Sequence, residues 1–71
     1  MRYLVVIEKG PRSWRAHVPD LPGCVAAGES REEVLRLIHE TIRFHIDGLR
    51  EDGQPVPQPH SEVDDVEIPA A

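Results

Sequence analysis

Val18-Pro19-Asp20-Leu21-Pro22-Gly23-Cys24-Val25 joins two short apolar segments through a stiff turn. Its two prolines fix φ at about −65° and lack a backbone N–H donor, and each favours an extended conformation in the residue before it. Gly23 permits the positive φ with which such turns often end. Asp20 can accept a local hydrogen bond in an Asx turn. The sequence therefore predicts a rigid loop that holds Leu21 against a core or a partner.

Three short strands are predicted around this loop. Residues 1–9 carry apolar side chains on both faces, which is typical of a strand that is central in its sheet or covered on both sides. Residues 13–18 alternate strictly between inward and outward side chains, and the turn at 9–12 pairs them with the first strand as an antiparallel hairpin. Residues 24–27 are small, so the third strand leaves room for a helix above it.

A helix is predicted to follow Gly28. Ser30 and Glu33 form a capping box, in which each side chain accepts a hydrogen bond from the backbone N–H of the other. Apolar residues then keep helical spacing for about four turns: Val34, Leu35, Ile38, Ile42, Ile46 and Leu49. Charges of both signs follow the opposite face and predict a solvated surface: Glu32, Arg36, Glu40, Arg43, Asp47 and Arg50. Gly53 is the expected C-terminal cap, with Pro55 just beyond it.

The residues after the helix divide into two parts. Segment 55–61 is rich in proline and is interpreted as an extended connection back to the sheet, in preference to a ligand for a proline-binding module. Segment 62–69 is predicted to be an edge strand whose acidic residues limit aggregation, with a frayed tail as the alternative. We therefore expect a single domain over 1–71 with its core in 1–54. Its class is α+β, a small antiparallel sheet of three to four strands with one helix packed on it.

Size and charge limit the functions that this chain can have. A core built from 71 residues rarely supplies more than ~3–5 kcal/mol unaided. Cys24 is the only cysteine, so no internal disulfide can form, and a homo-oligomer or a bound partner is expected to supply the missing stability.

The net charge of −5 disfavours nucleic acid and anionic membranes and suits a basic partner. The sequence shows no signal peptide or membrane span, and the lone thiol predicts a cytoplasmic protein.

Few residues are candidates for catalysis or metal binding. The histidines share no helical ligand spacing, so a zinc site is not predicted: His17, His39, His45 and His60. A nucleophilic Cys24 would need a base such as His17, and a small buried cysteine is the favoured interpretation. Asp64 and Asp65 could bind a cation but are interpreted as part of a solvated tail. With no glycine-rich phosphate loop present, we predict no enzymatic activity, no cofactor and no metal.

Several segments, taken together, resemble a known family. They are residues 3–9, 14–25, 27–34 and 49–57. The loop Pro19-Asp20-Leu21-Pro22-Gly23-Cys24, the start of the helix and its Glu-Asp-Gly exit lie at matching distances, and the similarity runs from residue 3 to about residue 59. The chain is similar to the HicB-type antitoxin domain. That resemblance implies the order β-β-β-α-β and a degraded ribonuclease-H-like fold without the nuclease site.

The resemblance also implies a protein-binding function. Members of this family neutralise a small basic ribonuclease toxin of the HicA type by covering its active surface, and an acidic domain suits that partner. Contacts with the toxin are expected from the sheet rim, the acidic segment 62–67 and the loop residues Pro19, Asp20, Leu21, Pro22, Gly23 and Cys24. Many members add a DNA-binding segment. The residues after the helix are acidic and rich in proline here, so direct DNA binding by this chain alone is not expected.

Two other functions stay open at this point. An orphan homo-oligomeric domain that binds a ligand or a protein, without any toxin, would account for the two-sided apolar first strand, and a small molecule that raises the melting temperature would favour it. A thiol- or metal-dependent hydrolase is the other alternative. Full activity after Cys24→Ala would argue against its thiol version.

Overall fold

The computed structural model describes residues 1–70, which form an antiparallel sheet and a helix. Strand β1 spans Val6–Lys9, β2 spans Trp14–His17, β3 spans Val25–Gly28, and helix α1 spans Arg31–Glu51. The strand order is β1-β2-β3, so each strand pairs with the next along the chain. The predicted α+β class and the order of three strands followed by a helix are confirmed.

The central strand β2 has one buried face, as its alternation predicts. Ala16 is buried, whereas Arg15 and His17 on either side of it are exposed. Ala16 lies opposite Ile7 of β1 and Ala26 of β3. Because the central side chains on this face are small, α1 can pack closely against the sheet.

Strand β1 lies at an edge of the sheet, which corrects the prediction that the first strand is central or covered on both sides. Among residues 1–70 it pairs with β2 alone, and it begins at Val6. Tyr3, Val5 and Ile7 pack against the core. Leu4 and Val6 are half-buried, and Val6 pairs with the exposed His17 on the face away from α1. The second apolar face of this strand is therefore only partly covered.

Both ends of α1 lie at or next to the capping residues that the sequence predicts, and within residues 1–70 one of the two predicted capping-box hydrogen bonds is formed. Ser30 is the N-cap, and its Oγ accepts a hydrogen bond from the Glu33 N–H at 3.1 Å. Asp52 is the C-cap, and Gly53 follows it with φ of 67°. The Gly53 N–H donates to the Arg50 carbonyl at 3.1 Å, as in a Schellman motif. The helix therefore ends within one residue of the predicted cap.

The core lies between the inner face of the sheet and α1. Its buried apolar residues come from strand, loop and helix: Ala16, Val18, Leu21, Cys24, Val34, Ile38 and Ile46. The loop thus contributes directly to the core, as predicted for Leu21. No helix in the described part of the chain combines the length and the apolar character needed to cross a bilayer.

Gly28 marks a close approach of β3 to α1. A Cβ at this position would lie 3.1 Å from the Val34 backbone nitrogen and 3.2 Å from Glu33 Cγ. Gly28→Ala is expected to displace the start of the helix and to lower the free energy of unfolding by about 1–3 kcal/mol. Gly48→Ala is the matched control: its Cβ meets nothing within 4 Å, and in a helix it should raise stability by about 0.5–1 kcal/mol. Urea titration measures the free energy of unfolding of both variants. If both substitutions raised it, or both lowered it, the close approach of β3 to α1 at Gly28 would be contradicted.

The residues after the helix do not form the predicted edge strand. Segment 62–69 has no strand pairing within residues 1–70, so the described chain has the order β-β-β-α. Val63, Val66 and Ile68 are exposed. Asp64 and Asp65 interrupt the alternation, so Val63 lies on one face of the extended segment and Val66 and Ile68 lie on the other, and the segment lacks the regular apolar face of a strand that packs on a sheet.

Candidate partner-binding site

The loop between β2 and β3 is closed by its own backbone. The Val18 N–H donates to the Cys24 carbonyl at 3.1 Å, and the Cys24 N–H donates to the Leu21 carbonyl at 3.0 Å. The Leu21 N–H in turn donates to the Val18 carbonyl at 3.1 Å. Gly23 takes φ of 85°, which confirms why a glycine stands there. The loop is a tight, fixed unit.

The predicted partner-binding residues divide into two sets. The residues whose side chains are buried are Asp20, Leu21 and Cys24. The exposed residues are Pro19, Pro22 and Gly23. The first set holds the loop in place and the second forms its surface. A direct contact with a partner therefore remains a prediction for the exposed set.

Asp20 binds residues from the far end of the chain. Its Oδ2 accepts hydrogen bonds from the backbone N–H groups of His60 at 2.8 Å and Ser61 at 2.9 Å. Its Oδ1 accepts from Ser61 Oγ at 2.5 Å and lies 3.1 Å from His60 Nε2. We call these three residues the Asp20 cluster. The predicted local Asx turn is not the interaction that satisfies this carboxylate, because Pro22 has no N–H and those of Leu21 and Cys24 are bound within the loop.

The hydrogen bonds of the Asp20 cluster stabilise the ionised form of the Asp20 carboxylate, although this side chain is buried. The hydrogen bond from the Ser61 hydroxyl is the largest cause, and with the Ser61 and His60 backbone N–H groups it lowers the pKa of Asp20 from 3.8 to about 2, although burial opposes the shift. Hydrogen bonds to the ionised form stabilise it in this way. Asp20 is therefore ionised at neutral pH and holds the end of the proline-rich connection.

The proline-rich connection is attached to the body at a second point. The Tyr3 hydroxyl donates to the Pro57 carbonyl at 2.5 Å, and Val56 packs against the core. The connection thus returns the chain from the end of α1 across Tyr3 to the loop, as the interpretation of a spacer predicts.

The structure separates Cys24 from the base that the sequence offered for it. Burial raises the pKa of the Cys24 thiol, which opposes the thiolate that a nucleophile needs. His17 is exposed while Cys24 lies inside, so the structure does not bring this candidate pair together. Within residues 1–70, no three His, Cys, Asp or Glu side chains are grouped as metal ligands.

His60 and Ser61 are the site residues that sequence reasoning missed. They lie 40 and 41 positions from Asp20, and no periodicity or motif connects residues so far apart. The one available signal was chemical: an aspartate in an apolar, proline-rich loop needs donors that the loop itself does not offer.

The geometry defines a class of small α+β domain, in which one helix covers an antiparallel sheet and a distant segment is bound to a rigid Pro-Asp-Leu-Pro-Gly-Cys loop. A family model described as the HicB-like antitoxin of bacterial toxin-antitoxin systems matches residues 3–69. The chain belongs to this family, which confirms the resemblance. The match extends past the predicted limit near residue 59 and includes the Asp20 cluster.

Individual relatives are consistent with this family. Antitoxin HicB 2 of Photorhabdus laumondii is 32% identical over 72 residues, which cover 100% of this chain and 52% of that protein. A UPF0150 protein of Thermoplasma acidophilum is 35% identical over 63 residues, 87% of this chain and 91% of that protein. A 14.9 kDa protein of Haemophilus phage HP1 is 40% identical over 58 residues, 82% of this chain and 44% of that protein. The chain therefore spans about half the length of two of these relatives.

Proposed function

We propose that this chain is an antitoxin that binds a small basic ribonuclease toxin of the HicA type and blocks its cleavage of mRNA. The observation that supports this most strongly is the family match over residues 3–69. The net charge of −5 supports it as well, because opposite charges raise the rate of association and disfavour wrong partners. A cytoplasmic location belongs to the same proposal, since mRNA is translated there.

The surface that we assign to the toxin is the outside of the loop. Pro19, Pro22 and Gly23 are exposed there, while the backbone hydrogen bonds and the buried Leu21 fix its shape. A loop that is already ordered loses little conformational entropy when a partner binds. The Asp20 cluster adds hydrogen bonds between this loop and the backbone of His60 and Ser61. The loop thus offers a preorganised contact surface on an acidic domain.

Co-expression with a basic ribonuclease encoded by the adjacent gene tests this proposal. We expect a stable complex in size-exclusion chromatography with light scattering, and no RNA cleavage by the bound toxin. The association rate should fall as salt is added, because ions screen the opposite charges. Failure of the two purified proteins to form a complex at low salt would contradict the proposal.

Pro22→Lys is expected to weaken the complex by about tenfold or more, because it places a positive charge against a basic toxin. Gln54→Lys is the matched control, since it adds the same charge at an exposed position beyond the end of α1. Binding by surface plasmon resonance measures both variants, and thermal melting checks that each is folded. Equal affinities of the two variants for the toxin would show that the loop is not part of the interface.

A further inference from the structure

Residues 62–68, here called the tail, extend away from the body of the molecule. Val63, Val66 and Ile68 are 73%, 78% and 77% exposed. The radius of gyration is 14.4 Å, whereas a compact chain of this length has a value of about 11 Å. The longest extent is 52 Å, well beyond the roughly 31 Å of α1. The tail thus presents three exposed apolar side chains to solvent, and two of them, Val66 and Ile68, share one face of the extended chain.

A groove of about 580 Å³ lies between residues 1–5 and α1. Side chains from both elements give it an apolar floor: Val5, Leu35 and Ile42. Arg43 and Arg50 line it with a single acidic residue, Asp47. Both arginines are exposed. The groove therefore combines an apolar floor with a predominantly basic rim on an otherwise acidic protein.

We propose that this groove binds the tail of a second copy of the chain, so that two copies exchange tails about a two-fold axis. The tail is acidic and has no basic residue, so its charge is complementary to that of the rim. Val66 and Ile68, which share one face of the tail, match the apolar floor. Seven extended residues cover about 23 Å, which fits along a helix of about 31 Å.

The two-fold exchange also fits how the tail is held. The Asp20 cluster fixes His60 and Ser61, the two residues just before the tail, to the chain's own loop, and the tail itself extends beyond them towards a neighbour. In an isologous dimer each copy both gives and receives a tail, so the apolar contact forms twice. This inference does not depend on toxin binding, because it concerns this chain alone.

Light scattering on the purified chain, without any toxin, tests the exchange. We expect the wild type to be a dimer, and Val66→Lys to raise the dimer dissociation constant at least tenfold. Val66 is 78% exposed, so the substitution leaves the fold intact. Phe44→Lys is the matched control, because it also replaces a highly exposed apolar residue, 82% exposed on α1, and this variant should stay dimeric.

A charge exchange tests the contact itself. Arg43→Glu alone should weaken the dimer, and Asp65→Arg added to it in the same chain should restore at least part of the lost affinity. A wild type that is monomeric at every concentration would overturn the proposal. A tail that binds the groove of its own chain would give this monomeric result. A dimer that survives Val66→Lys, or is lost equally in Phe44→Lys, would overturn it too.

Discussion

Asp20→Asn is expected to release the end of the proline-rich connection from the loop. The amide nitrogen would face N–H donors in place of a carboxylate oxygen, so the hydrogen bonds from His60 and Ser61 would be weakened or lost. Hydrogen exchange should show the His60 and Ser61 amides losing protection at least tenfold, while the helix amides change little. Asp47→Asn, on the exposed face of α1, is the control and should leave all of these amides protected.

The same substitution should remove a pH dependence. The folded pKa of Asp20 is about 2 against an ordinary 3.8, so its contribution to stability is complete above about pH 3.8 and is lost as the pH falls towards 2. The free energy of unfolding falls with the pH because the unfolded chain takes up the proton at a higher pH than the folded chain does. The free energy of unfolding of the wild type should therefore fall more steeply across this window than that of Asp20→Asn. Equal slopes would show that Asp20 is not stabilised in its ionised form.

Leu21→Ala is expected to lower the free energy of unfolding by about 2–5 kcal/mol. Leu21 is 0% exposed, and the hydrogen-bonded loop around it cannot easily collapse into the space left behind. That loss is comparable to the ~3–5 kcal/mol that so small a core can supply, so the variant should be largely unfolded at 37 °C by circular dichroism.

Leu37→Ala is the control for this substitution. Leu37 is half-buried on α1 and lies outside the buried core cluster, so the same change in chemistry should cost about 1 kcal/mol or less. Equal losses in the two variants would mean that the loop is not fixed through Leu21.

The sheet and the helix were predictable because their signals are local. The strict alternation around Ala16 identifies the buried face of β2, and Ser30 fixes the start of α1 as the N-cap that accepts a hydrogen bond from the Glu33 N–H. Gly53 marks its end within one residue. Each of these patterns is read over a few neighbouring residues, where backbone geometry alone sets the spacing.

The errors occurred where the structure depends on distant residues. Strand β1 carries apolar residues on both faces, yet it lies at an edge of the sheet. The prediction failed because apolar content indicates how much of a strand is covered but does not identify the element that covers it. The tail has the apolar content of a strand, but within residues 1–70 no strand pairs with it. If two copies exchange tails, the surface that covers the tail belongs to a second molecule, which local patterns in one sequence do not reveal.

The candidate site was predictable only in part. The loop was identified from its prolines and glycine, but Asp20 was interpreted as a local turn former when its partners are His60 and Ser61. The burial of Asp20, Leu21 and Cys24 leaves Pro19, Pro22 and Gly23 as the exposed residues of the loop. Sequence spacing located the loop, and only the folded structure separated its surface from its support.

Titration of the toxin's ribonuclease activity with this chain tests the central claim most directly. The purified toxin encoded beside it would be mixed with increasing amounts of the chain, and cleavage of a reporter RNA would be followed. We predict that cleavage falls to background near stoichiometric amounts, and that Pro22→Lys requires an excess. Cleavage that continues unchanged at a large excess of the wild-type chain would contradict an antitoxin function.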